Sequence, residues 1–408
     1  MVLQRRDLLG TAVAAAAGTA WPRRRARAQA QTIRIGVMND MSGPYRDGSG
    51  PGSVVLTQQA VQDFGSRGFN VEVLQADHQN KPDVGANIAR QWLDQGVDVV
   101  ADLPTSSVAL AVNQIAREKN KVHLNSGAAT SDLTGAICSP NTVHWTYDTY
   151  MLAKSTGAAI VKAGGDSWFF ITADYAFGHA LERDTGNFVK AQGGTVLGNV
   201  RFPFPATTDF SAFVVQARAS RAKVLGLATA STDTVNAIKG AREFGLQRSM
   251  KIAALLIGLP DVKALGLESG QGLLLTEPFY WDMNDRTRAL TQRVKAKNQD
   301  RPPAMEPAGC YGMVLHYLKA VADMGVAAAK ASGADAVARM KAMPTDDDAF
   351  GPGLIRADGR KIHPSYLFQV KTPAESRNPW DLYKLVATTP AEEAFRPLSE
   401  GNCPLVRS

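Results

Sequence analysis

Two short stretches carry hydroxyl groups in a spacing that could hold an anion: "LPTSSVAL", Leu103 to Leu110, and "NSGAATSD", Asn125 to Asp132. In the first, Thr105, Ser106 and Ser107 open a helical pattern. In the second, small side chains let an anion approach backbone N–H groups closely, and Ser126, Thr130 and Ser131 can add hydroxyl donors. Backbone amides at strand ends and helix amino termini carry partial positive charge, so the chemistry on offer is capture of a carboxylate. Each stretch is also readable as a helix cap or turn, the commoner use of Ser and Thr.

Other chemistries find little support. There is no phosphate loop and no G-x-S-x-G elbow, and "GSGPGS" lacks the third glycine of a dinucleotide fingerprint. Asp346 to Asp348 do not match a calcium loop and read as a solvated turn. The histidines (His78, His123, His144, His179, His316, His363) are scattered, with no pair at helical i, i+4 spacing. His179 has no evident nucleophile beside it. No enzyme, metal or cofactor is expected.

The elements that must position these loops alternate strand and helix from Thr32 onward. "TIRIGVM", "VEVLQAD", "VDVVADL" and "KVHLNS" read as strands, separated by helices such as "DVGANIARQWLDQG" and "SSVALAVNQIAREK". After "NTVHWTYDTY" the pattern begins again with "WFFITAD", "AKVLGLATA", "KIAALLI" and "GLLLTEPF". Near the end, "GLIRADGRKIHPSYLFQV" reads as a hairpin turning at Asp358-Gly359, followed by the strand "WDLYKLVA". Short, valine-rich strands between helices imply parallel sheets covered on both faces. The expected fold is α/β, with two similar lobes of parallel sheet flanked by helices. Three crossing segments would join them, near 145–150, 278–281 and 349–353. The expected division is 31–146 with 279–348 as lobe 1, 147–278 with 349–395 as lobe 2, and 396–408 as a tail.

The formal net charge of +7 sits mostly at the start. The first 30 residues hold six arginines against Asp7, which leaves +2 for the rest and removes the case for a nucleic-acid partner. Residues 1–30 have the order of an export signal: Arg5-Arg6, an apolar run, then small residues at Ala26, Ala28 and Ala30. "QRRDLLG" partly resembles the twin-arginine motif; the alternative is an ordinary Sec leader. No later segment is long and apolar enough to span a membrane, so a periplasmic chain without direct membrane insertion is expected. In that oxidising compartment three cysteines allow one disulfide. Cys310 lies in the apolar-periodic helix "AGCYGMVLHYLKAV" and reads as a buried hydrophobe. Cys138 and Cys403 lie in irregular, proline-marked segments and are the expected pair; the alternative is a loose carboxyl terminus with Cys403 free.

"IRIGVMNDMSGPYRDGSGPG", "DHQNKPDVG", "PTSSVALAVNQIAREKNKV", "SGAATSDLTG" and "CSPNTVHW", in this order, resemble the leucine/isoleucine/valine-binding family of periplasmic solute-binding proteins. The resemblance implies a monomeric type I periplasmic binding protein serving an ABC importer, with a small-molecule carboxylate ligand and membrane permease subunits as partners. It implies further that loops matching Ser106-Ser107 and Ala128-Ala129-Thr130 hold the ligand carboxylate and that Tyr175 closes over it. One departure stands out. Where amino-acid binders place an acid to meet the ligand ammonium, this chain has "KIAALLIGLP", with Leu255 and Leu256 and no carboxylate. Burying an unpaired ammonium is costly, so a ligand without an α-amino group is expected, an aromatic acid among the candidates. Tyr45, Tyr150, Tyr175, Leu255, Phe279, Tyr280 and Trp281 would wall its apolar body. The alternatives are a branched-chain or other amino-acid binder of the same importer class, or a ligand-sensing receptor on the same fold.

Overall fold

The computed structural model describes residues 31–406; the expected export signal, residues 1–30, lies outside them. The first sheet has five parallel strands in the order β2-β1-β3-β4-β5: β1 (Thr32–Asn39), β2 (Asn70–Asp77), β3 (Val99–Asp102), β4 (Val122–Asn125) and β5 (Thr142–His144). Ile35 of β1 stands opposite Val73 on one side and Val99 on the other. β3 and β4 are buried along their whole length, while β2 at the edge is half-exposed. Helices cover both faces. Gly36 and Gly85 sit where the packing is closest: a Cβ on either would overlap Trp92 or Val108, respectively.

The second lobe repeats this order with β6 (Ser167–Ala173), β7 (Thr195–Phe202), β8 (Val224–Ala228) and β9 (Lys251–Ala254), arranged β7-β6-β8-β9 and all parallel. In each lobe the first strand is therefore flanked by the second on one side and the third on the other. This places a topological switch point, the usual seat of a ligand, at the carboxyl ends of β1 and β3 and of β6 and β8. The sequence reading missed β7, because its residues alternate between exposed and half-buried and few are strongly apolar.

The second lobe is not wholly parallel. β10 (Leu274–Glu277), β13 (Ser365–Val370) and β14 (Tyr383–Thr389) form a separate antiparallel sheet. The expected hairpin exists as β11 (Leu354–Ile355) and β12 (Lys361–Ile362), turning through Gly359 at φ 87°. It belongs to the first lobe, because the His144 N–H donates to the Gly359 carbonyl (2.9 Å) and extends the first sheet. This corrects two expectations. The 349–395 segment is divided between the lobes, and the third crossing is His363–Pro364 rather than 349–353. The other crossings join β5 to the helical segment starting at Thr149, and β10 to the helix Asp285–Val294.

The first and third crossings run side by side. His363 Nε2 meets the Trp145 and Thr146 carbonyls, and the buried Arg360 donates to Tyr147 O (3.2 Å) and lies 3.6 Å from Asp148. The helix Met305–Met324 packs on Gly50–Phe64 in lobe 1. It approaches the first crossing so closely that a Cβ on Gly309 would strike Thr146.

Candidate functional site: a cleft between strand ends

One cleft of about 400 Å³, open mouth included, lies where the strand ends of the two lobes face each other. Lobe 1 supplies Tyr45, Gly48 and Ser49 beyond β1, Pro104 beyond β3, and Gly127 and Ala129 beyond β4. Tyr147 comes from the first crossing and Glu306 from the start of the helix Met305–Met324. Lobe 2 supplies Tyr175 and Phe177 beyond β6, Ala230 and Ser231 beyond β8, and Leu256, Gly258 and Asp261 beyond β9. The lobes are closed on each other. Tyr45 and Tyr175 hydroxyls meet at 2.5 Å, and both rings stack on Phe204 (5.3 and 4.4 Å).

The loops are held from beneath by buried polar groups. Asp102, at φ 82° on the end of β3, accepts from Ser126 Oγ (2.7 Å) and Asn39 Nδ2 (3.1 Å), stitching three strand ends together. Burial raises its pKa, while those hydrogen bonds oppose the shift. Gly127 is required by approach: a Cβ there would lie 2.6 Å from Pro104 Cα. The Ala129 N–H, on the cleft wall, has no hydrogen-bond partner among the described residues. A buried amide without a partner is rare, and one on a cleft-lining residue is a donor that a bound ligand can satisfy. Ser231, also on the cleft lining and near Gly48, is a non-glycine residue in the left-handed region at φ 48°, the kind of local strain that gathers at binding sites.

Of the residues expected to contact ligand, Tyr45, Ala129 and Tyr175 line this cleft. The others stand elsewhere. Ser106 Oγ accepts from the Thr130 N–H (3.2 Å), tying the two hydroxyl-rich loops together, and Ser107 lies behind it in the first helical turn. Ala128 is paired with the side chain of Asn125 through both its N–H and its carbonyl. Thr130 caps the short helix Ser131–Thr134, its Oγ1 accepting from the Asp132 N–H (3.3 Å). The Ser131 hydroxyl donates to Asp184 (2.8 Å). Tyr150 faces a different hollow, with Arg183, Phe188 and Arg396. Leu255 and Phe279 are core residues; Leu256, the next along, is the one on the wall. The hydroxyls mostly build the loops rather than face the cleft, because backbone groups in such tight turns need partners of their own.

Sequence reasoning missed Tyr147, Phe177, Ser231, Asp261 and Glu306. Asp261 follows directly on "KIAALLIGLP", so the reading that this neighbourhood lacks a carboxylate stopped one residue short. Its Oδ2 accepts from the Gly258 N–H (2.8 Å), and burial pushes its pKa up to about 6. Glu306 is pushed up to about 8 by burial, with Asp261 and Asp102 adding to the shift. Among the described residues lining the cleft, these two are the only carboxyls, and no Lys, Arg or His is among them. Cys138 and Cys403 are joined in a disulfide, and Cys310 is buried and unpaired.

The family model described as "Periplasmic binding protein" matches residues 32–377. A periplasmic binding protein from Burkholderia mallei, known from its crystal structure, is 48% identical, with a TM-score of 0.88 over 92% of this chain and 100% of that one. A branched chain amino acid ABC transporter periplasmic ligand-binding protein from Burkholderia xenovorans LB400 is 36% identical, with a TM-score of 0.78 over 91% and 99%. A Leu/Ile/Val-binding protein homolog from Brucella abortus is 22% identical over 71% of this chain and 72% of its own length. Among the described residues no helix is long and apolar enough to cross a membrane. The match runs through both lobes and every loop of the cleft, and on it the chain belongs to the periplasmic binding protein family.

Proposed function

We propose that this protein is the substrate-binding component of an ABC importer. It captures a small carboxylate with an apolar body between its lobes in the periplasm and delivers it to membrane permease subunits. The observation that carries the reading is the unpaired Ala129 N–H on a wall of Gly127, Pro104 and aromatic rings. A carboxylate seated there gains a donor already fixed in place and a loop kept bare for its approach. Tyr45, Tyr147, Tyr175, Phe177 and Leu256 surround the space beyond with apolar surface, which suits a branched or aromatic body. Binding, with no covalent step, is the whole of the role.

A thermal-shift comparison of matched pairs tests this. Leucine, phenylalanine, 4-methylpentanoate and 3-phenylpropanoate are each set against the corresponding primary amide. A ligand bound only by the folded state raises its melting temperature, by about 2.7 kcal/mol of stability at a hundredfold excess over Kd. At least one acid is expected to raise the melting temperature while its amide does not. Equal shifts for acids and amides, or none for any acid, would refute carboxylate capture.

A further inference from the structure

We infer that the protonated carboxyl of Glu306 is a second donor to the captured carboxylate, so that the cleft takes its ligand as an acid–carboxylate pair and holds one proton with it. The inference rests on the proposed carboxylate capture and deepens it.

Among the described residues the cleft lining offers an entering anion no Lys, Arg or His. The Ala129 N–H satisfies one oxygen of a carboxylate, and the other needs a neutral donor. Glu306, in the first turn of the helix Met305–Met324, is placed to supply it. It lines the cleft and is nine-tenths buried, yet no hydrogen bond among the described residues occupies its Oε2. That atom lies beside Gly48, another cleft residue, where a Cβ would stand 3.9 Å from it. Oε1 is engaged instead: it lies 3.2 Å from Tyr147 Oη, which is 2.8 Å from the Gly127 carbonyl. The tyrosine proton is thus shared between two acceptors and ties the carboxyl to the loop that presents the Ala129 N–H. With Oε1 accepting, the proton of a neutral Glu306 belongs on Oε2, the oxygen left for the ligand.

The titratable groups facing Glu306 are Tyr147 from the first crossing, Asp102 from β3, Asp261 from lobe 2 and Glu277 from the end of β10. These are acids and a phenol, with no cation among them. Burial, with Asp261 and Asp102 adding to it, holds Glu306 protonated up to about 8, so it meets the ligand as a neutral donor at pH 7. A carboxylate arriving beside it is one more negative charge, which favours the protonated form again. The hydrogen bond from a neutral acid to a carboxylate is charge-assisted, about 2.5–2.7 Å between oxygens. Ligand and proton therefore stabilise each other, each bound more tightly when the other is present.

The deciding experiment is calorimetry at pH 7 and pH 9 on wild type, Glu306→Gln and Glu306→Met. The ligand is the tightest-binding of leucine, phenylalanine, 4-methylpentanoate and 3-phenylpropanoate. This window lies above the pKa of about 6 of Asp261, so Glu306 is the cleft carboxyl that titrates within it. Ligand-free Glu306 loses its proton through about 8, and wild-type affinity is expected to fall roughly tenfold from pH 7 to pH 9. At pH 8 binding should be less exothermic in Tris than in phosphate, because the proton is drawn from the buffer. E306Q, an amide that donates without titrating, should hold its affinity within about twofold across the window. E306M, which has no donor, should bind roughly ten- to a hundredfold more weakly than E306Q, the range for a hydrogen bond to a charged group. A wild-type affinity that stays flat or rises with pH, or an E306M that matches E306Q, overturns the inference and leaves carboxylate capture standing. Absence of wild-type binding by all four ligands overturns both.

Discussion

Thr130 and Ser106 carry the hydroxyls that first suggest an anion seat, and both are spent on the loops themselves. Thr130→Val is therefore expected to leave ligand affinity within about threefold of wild type. It should lower stability by roughly 0.5–2 kcal/mol, the usual cost of a lost helix cap; denaturant titration beside calorimetry reads both. A tenfold loss of affinity at unchanged stability would place that hydroxyl on the ligand instead. Glu306 gives a prediction in pH. Its folded pKa of about 8 lies above the ordinary carboxylate value near 4.3. For an acid raised in this way, the stability contribution is full below the unfolded value and is lost as pH rises through the folded one. E306Q does not titrate, so the ligand-free variant should gain melting temperature relative to wild type between pH 5 and 9. A difference that stays flat across that range would contradict the assigned burial. At this scale the sequence was only partly readable. Tyr45, Ala129 and Tyr175 were legible because they sit in motifs beyond strands. Glu306 was not, since a helix start more than 170 residues from the bare loop reaches the cleft only through the crossings.

The strands that make the two sheets were mostly legible, because buried parallel strands read as short apolar runs. β7 was not, since an edge strand with one covered face carries a weaker pattern. The place of the β11–β12 hairpin was not legible either: it depends on a backbone pairing between His144 and Gly359, which leaves no mark on side-chain pattern. The carboxyl-terminal segment is an element in its own right. Arg396 donates to Ser131 O (2.9 Å) and Gly401 packs near Gly135. The 138–403 disulfide therefore clasps the far end of the loop that lines the cleft. It closes a long loop, so replacing both cysteines by serine is expected to cost about 2–4 kcal/mol. Ligand affinity should fall less steeply, because Gly127 packs on Pro104, Asn125 holds Ala128, and the Ala129 carbonyl accepts from the Thr149 N–H (2.8 Å), all independently of the disulfide. Chemical denaturation of the double variant beside wild type measures the first, and equal midpoints would show that the tail contributes nothing.

The two lobes are shut on each other, and the contacts that shut them lie both within the cleft and outside it. Inside are Tyr45 and Tyr175. Outside, at the first crossing, the buried Asp184 of lobe 2 accepts from Ser131 Oγ (2.8 Å) and Thr149 Oγ1 (2.6 Å), while Arg183 pairs with Asp132 (3.0 Å). A ligand can favour closure only by binding the closed form better than the open one, and contacts outside the cleft bias the same equilibrium. Asp184→Ala touches no cleft residue, yet it should weaken ligand binding by about tenfold, the low end for losing a charge-assisted hydrogen bond. Surface plasmon resonance should show the change as faster release; an unchanged release rate would mean that Asp184 plays no part in closure. The account rests on one location for the ligand, and a crystal structure with the tightest-binding acid tests that directly. The predicted result is a carboxylate within hydrogen-bond distance of the Ala129 N–H, its apolar body against Tyr45, Tyr147, Tyr175 and Leu256. Ligand bound in the hollow beside Tyr150, Arg183 and Arg396, with the cleft free of it, would contradict the account.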